Sequence, residues 1–153
     1  MPRLTKTDYA ALSDLRYQIR RFVNFSDEAA RDAGIEPQQH QLLLALKGQP
    51  AGEKPTIGFV AERLQIVHHS AVELVSRSVL RGLIERRRSE ADRREAVLRV
   101  TARGERVLEA LSLAHRDELR SAAPVLARAL KALVAGQARK SMAQKKKRTG
   151  HAE

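Results

Sequence analysis

A mainly α-helical chain with one small β-hairpin is what the sequence predicts, and three observations predict it. Apolar residues recur at spacings of three and four over most of the 153 residues, the mark of amphipathic helices. Two short stretches, LIERR (83–87) and EAVLRVT (95–101), break that period; the second alternates inward Ala96, Leu98 and Val100 with Val97 and Arg99. RRRSEADRRE (86–95) joins them with five arginines and three acidic residues and no large apolar side chain, so it reads as the tip and shoulders of a hairpin.

The elements follow in order. From Asp8 to about Ala33, Leu12, Leu15, Ile19, Phe22 and Val23 form one helical stripe that Gly34 closes. Pro37 suits a first helical turn and Gly48 a C-cap, and Leu42, Leu43, Leu44 and Leu46 make the helix between them apolar nearly all round, hence central. QPAGEKP (49–55) is a loop by its turn residues. Thr56 caps a short helix whose inward positions are Ile57, Val60, Ala61 and Leu64.

After the interruption Gln65-Ile66-Val67, a second helix runs from about His68 to Arg81 on Ala71, Leu74, Val75 and Val79, with Gly82 beyond it. Two short helices, a tight turn and then a hairpin make a winged helix-turn-helix. Thr101 caps a long helix through Val107, Leu108, Leu111 and Leu119, and Pro124 starts another through Leu126, Leu130 and Leu133.

The first and last helices carry more apolar stripe than so small a winged core can cover. A helical dimerisation region built from both chain ends resolves the excess. The expected division is 1–34 as the N-terminal helix of that region, 35–103 as the winged helix-turn-helix, 104–138 as its C-terminal helices, and 139–153 as a basic, disordered tail.

Composition narrows the function. Twenty-nine Lys and Arg stand against eighteen Asp and Glu, a formal charge of +11 that implies a polyanionic partner. From Glu62 to Arg106 eleven arginines face seven acidic residues, so part of the excess lies in the helix-turn-helix and hairpin. No apolar run approaches the roughly 20 residues of a membrane span, and the N-terminus lacks the apolar core of a signal peptide, so a cytoplasmic, non-membrane protein is expected. The absence of cysteine removes thiol catalysis and thiolate metal sites, and five scattered aromatics make no base-stacking platform.

The stretch from Ile57 to Glu105, IGFVAERLQIVHHSAVELVSRSVLRGLIERRRSEADRREAVLRVTARGE, resembles the MarR-type winged-helix transcription regulators, most specifically in Asp92-Arg93-Arg94 and Thr101-Ala102-Arg103-Gly104. The likeness extends over about residues 8–138. It implies a homodimer that binds pseudo-palindromic promoter DNA, usually as a repressor, and that is often released by a small aromatic or phenolic ligand near the dimer junction. Two departures stand out: Gln65 where many relatives turn on Gly, which suggests a slightly different turn, and Val67 where Ser or Thr usually caps the recognition helix.

A helix of this size fits the major groove, with its first turns and outward face nearest the bases. His68, His69, Ser70 and Glu73 are the outward candidates there. Arg77 resembles the family's arginine that meets the DNA backbone or ties the wing to the helix, and contact with phosphate is expected of it; it also stands four residues after Glu73, where a surface ion pair is the plain alternative. Arg94 matches the family's wing-tip arginine, suited to the narrow, electronegative minor groove. Arg86, Arg87, Arg88 and Arg93 would bracket it at phosphates. Asp92 would accept hydrogen bonds from wing or helix arginines and so aim Arg94 outward.

For an effector site the resemblance directs attention to Tyr17, Arg16, Arg20, His40 and His115; Tyr17 and His40 are the two chosen. No cofactor is expected. An enzyme is not expected either, for there is no nucleophile elbow, phosphate loop or HExxH pattern, and His68-His69-Ser70 are consecutive on a helix and cannot converge. The histidines lack metal-ligand spacing. The alternative that survives is a non-specific basic architectural DNA-binding protein.

Overall fold

The computed structural model describes residues 4–92 and 94–149, with side chains as far as Val134. Seven elements follow in the order α1 (Lys6–Asp32), α2 (Pro37–Lys47), α3 (Ile57–Leu64), α4 (His68–Leu80), β1 (Ile84–Arg88), β2 (Ala96–Val100) and α5 (Ala102–Thr149). The chain divides into two compact units, one of residues 26–115 and one of residues 1–25 with 116–153. The mainly α fold with one hairpin is as the sequence predicts.

The larger unit is built by local signals that agree with one another. Gly34 takes φ 77° after α1, and the Glu36 N–H donates to Gln39 Oε1 at 3.0 Å as Pro37 opens α2. Thr56 Oγ1 accepts the Phe59 N–H at 3.1 Å and caps α3. At the end of α4, Gly82 takes φ 68°, and the N–H groups of Gly82 and Leu83 return to the carbonyls of Val79 and Ser78. β1 and β2 pair antiparallel in the register Ile84 with Val100 through Arg88 with Ala96.

Leu42, Leu43, Val60, Leu74, Val75, Leu83 and Ile84 are fully or almost fully buried, with Leu98, Leu108 and Leu111 completing the core. Each such side chain contributes about 1.5 to 3 kcal/mol by leaving water. Three expected core positions lie outside it. Leu44 is 51% exposed because α2 presents one face, not its whole circumference, to the core; Val79 stands at the rim, and Ala96 at the far end of the hairpin is exposed.

Gly104 explains why α5 can begin so close to the hairpin. A Cβ at that position would run into the Leu83 carbonyl oxygen and come within 2.8 Å of the Val100 side chain. Thr101 Oγ1 donates toward the Gly82 carbonyl at 2.6 Å and accepts the Gly104 N–H at 3.1 Å, joining the end of α4 to the start of α5.

α5 corrects the expected break at Pro124: the helix runs on through it. Proline removes one N–H donor and crowds the preceding turn, but Ala122, Ala123, Leu126, Ala127 and Ala129 around it are strong helix formers. The backbone stays helical to Thr149, where a disordered tail is expected from 139; alanine, lysine, arginine and glutamine in that stretch all favour helix. Residues 150–153 lie outside those described.

In the smaller unit α1 opens on a reciprocal pair: Asp8 accepts the Thr5 N–H at 2.7 Å while Thr5 Oγ1 accepts the Asp8 N–H at 3.3 Å. Gln18 and Ala129 are buried, yet Leu4, Leu12, Ile19, Val23, Leu119, Leu130 and Val134 stay exposed. No helix among the described residues is long and apolar enough to cross a membrane.

Candidate nucleic-acid interface

The turn between α3 and α4 pivots on Gln65, which adopts φ 54° and ψ 43°, the left-handed conformation that glycine takes without strain. The Gln65 amide is tied back by a 2.7 Å bond from Nε2 to the Glu62 carbonyl. Val67 precedes α4 in extended conformation and supplies no side-chain cap, as its chemistry requires.

His68, His69 and Glu73 are exposed on α4 and Ser70 is half-buried. His69 Nε2 lies 3.2 Å from Glu73 Oε1 across one helical turn. The alternative Glu73–Arg77 pair is not formed; Arg77 turns to Glu36, donating through Nη2 at 3.1 Å and Nε at 3.3 Å to the same carboxylate oxygen. Arg81, one turn on, donates to the Gly34 carbonyl at 2.8 Å.

Arg86, Arg87 and Arg88 are exposed on β1, so these three stand on a strand and not in the turn. Arg86 Nη2 donates to Ser76 Oγ at 3.0 Å, a direct tie from hairpin to α4, and Arg87 pairs with Glu85 at 2.8 Å. Arg94 lies in the exposed tip. Asp92 Oδ1 accepts the backbone N–H of Arg94 at 2.9 Å, so among the described residues the carboxylate helps shape the turn. Arg93 lies outside the described residues.

Sequence reasoning missed Lys54 and Ser76. Lys54, in the loop before α3, reaches across to Glu95 at the turn end of the hairpin at 2.7 Å, and that hydrogen bond and charge hold its ammonium above the usual lysine pKa. The Pro55 carbonyl accepts the Leu98 N–H at 2.8 Å beside it. A lysine in a proline- and glycine-rich loop carries no signal of a partner 41 residues away.

Of the effector candidates, Tyr17 is exposed on α1 in the smaller unit, while His40 is buried in the larger one. His40 stacks obliquely on His115 with ring centroids 4.7 Å apart, and its Nδ1 has no hydrogen-bond partner among the described residues. Burial, reinforced by the neighbouring His115 and opposed by Asp27, pushes the His40 pKa down to about 4. No group of three or more potential metal ligands is present among the described residues.

Residues 33–95 match the family model described as the MarR family. A MarR family protein from Bacillus stearothermophilus shares 21% identity, with a TM-score of 0.69 over 89% of this chain and 99% of that one. AbsC, a MarR family transcriptional regulator from Streptomyces coelicolor, shares 17% over 80% and 82%, with a TM-score of 0.66. A mutant of MepR from Staphylococcus aureus, solved bound to an oligodeoxyribonucleotide, shares 18% over 93% and 99%, with a TM-score of 0.59. No curated protein matches. Residues 33–95 thus resemble the MarR family, and the chain as a whole has the fold of MarR-type winged-helix proteins.

Proposed function

We propose that the protein is a sequence-specific, double-stranded-DNA-binding regulator of transcription, not an enzyme, that works as a homodimeric repressor on a pseudo-palindromic operator. α4 enters the major groove with His68, His69, Ser70 and Glu73 toward the bases, and Arg77 meets a phosphate. The hairpin lies along the minor groove, with Arg94 inside it and Arg86, Arg87, Arg88 and Arg93 at the flanking backbone. The observation that carries this reading is the Arg86–Ser76 bond, which fixes an arginine-rich hairpin to the very helix whose outward face is polar and exposed.

The exposed apolar residues of the smaller unit support the homodimer, since a second copy would cover them with the same face. The His40 Nδ1, which has no hydrogen-bond partner among the described residues, supports an aromatic or phenolic effector that accepts or donates one hydrogen bond there and releases the DNA.

The test is a mobility-shift titration on the DNA just upstream of the protein's own gene, with unrelated competitor, at two salt concentrations. A discrete complex that survives competition supports the regulator; a smear that vanishes with competitor or salt moves the architectural reading to first place. On the specific duplex Arg94→Ala is expected to weaken binding by about 1 to 3 kcal/mol. Unchanged affinity would remove the wing from the interface.

A further inference from the structure

Arg77, in the last turn of α4, and Arg81, the residue that caps its end, stand one turn apart, and both reach the corner between α1 and α2. That corner is stiff. Gly34 turns it in the left-handed conformation, Gln39 holds the Glu36 N–H, and Pro37 fixes the next residue. Glu36 is therefore a carboxylate on a well-defined stretch of backbone, and it takes Arg77 in preference to Glu73, the acid one turn away on the same helix.

The geometry of that pair is one-sided. Nε and Nη2 of Arg77 both go to Oε2 of Glu36, while Nη1 has no protein partner among the described residues. The Arg77 side chain is 44% exposed, so its remaining N–H groups can meet a ligand without dismantling the pair. A long side chain fixed before binding loses less rotamer freedom when it engages a phosphate, and a planar guanidinium can hold a carboxylate on one edge and a phosphate on another.

We propose that Glu36 is a positioning residue for DNA binding, holding the Arg77 guanidinium in the orientation that receives a backbone phosphate. This rests on the DNA-binding reading above. Its charge alone would act oppositely, since a carboxylate near the duplex repels phosphates. The useful variant therefore keeps the charge and shortens the reach: Glu36→Asp, which retains an acidic N-cap for α2.

The experiment is a fluorescence-anisotropy titration of a mixed-sequence duplex of about three helical turns, because phosphate contacts do not depend on sequence. It compares the parent, E36D, R77A and the double variant over a series of salt concentrations, with melting temperatures measured alongside. R77A should weaken binding and reduce the salt slope by about one. E36D should weaken it about threefold to tenfold with Arg77 present and less than about twofold in the R77A background, with an unchanged melting temperature.

Equal losses in both backgrounds, or an E36D protein that binds like the parent while R77A is impaired, overturn the positioning role alone. An R77A protein with the parent's affinity and slope removes the phosphate contact, and the proposal with it. Failure of the parent to bind any duplex overturns the DNA-binding reading itself.

Discussion

The two units of the molecule treat their apolar residues in opposite ways. In residues 26–115 a set of large aliphatic side chains closes on itself until Leu42, Leu43, Leu74 and Leu83 see essentially no solvent, although Leu44, Val67 and Leu80 stay outside it. In residues 1–25 and 116–134 the helices leave Leu12, Ile19, Val23, Leu119 and Leu130 in water. The first is a finished core and the second an unfinished one. The difference separates what one chain can stabilise alone from what needs a second surface.

The sharpest way to break the finished unit is at Gly104. Gly104→Ala is expected to destabilise the protein by about 3 kcal/mol, because the added methyl meets the Leu83 backbone, which cannot move without disturbing β1. Urea unfolding measures it, and a loss below about 1 kcal/mol would show that the approach of α5 to the hairpin is looser than the structure has it.

The unfinished unit is broken by charge. On the proposed homodimer, Ile19→Glu should raise the dissociation constant by about a hundredfold, through the burden of placing a carboxylate in an apolar interface, while leaving the helix-turn-helix unit folded. Sedimentation reads the first effect and circular dichroism the second. A variant that remains dimeric at the parent's concentration would place the interface elsewhere.

Acid distinguishes the units next. The unfolded chain's His40 takes up a proton near pH 6.5, whereas burial lowers the folded value to about 4. Between those values the unfolded state binds more protons, so stability falls as pH falls, by about 2 kcal/mol on reaching pH 5. His40→Leu should flatten urea-derived stability over that window, and an equally steep fall in the variant would assign the acid sensitivity to another group. The smallest effect expected is a gain: Gln65→Gly relieves the left-handed strain and stabilises by about 1 kcal/mol or less, since glycine also enlarges the unfolded ensemble. A loss of stability on thermal melting would mean that the Gln65–Glu62 bond outweighs the strain.

The parts of the fold that were legible in the sequence are those with local causes. Pro37, Thr56, Gly34 and Gly82 mark their helix ends by chemistry confined to a few residues, and the alternation around Leu98 marks a strand. What was not legible has causes distant in the chain. Glutamine has no preference for positive φ, so nothing in its type announces the turn at Gln65. Arg77 has an acid one turn away, and only the folded corner shows that Glu36 takes it. His40 and His115 are 75 residues apart and meet through packing alone. The TARG motif was visible as a pattern, but the reason for its glycine is the carbonyl of Leu83.

The hairpin has a consequence for how the protein behaves at high concentration. A two-stranded ribbon is all edge, and unpaired strand edges invite other chains to pair with them. Here the Pro55 carbonyl occupies part of the β2 edge, and its ring nitrogen, having no hydrogen, cannot extend the ladder. β1 carries Arg86, Arg87 and Arg88 in succession, so two copies approaching strand to strand meet as like charges. The arginines that suit the ribbon to a polyanion thus also keep it from polymerising with itself, and a partner that neutralised them without burying the strand would remove that protection.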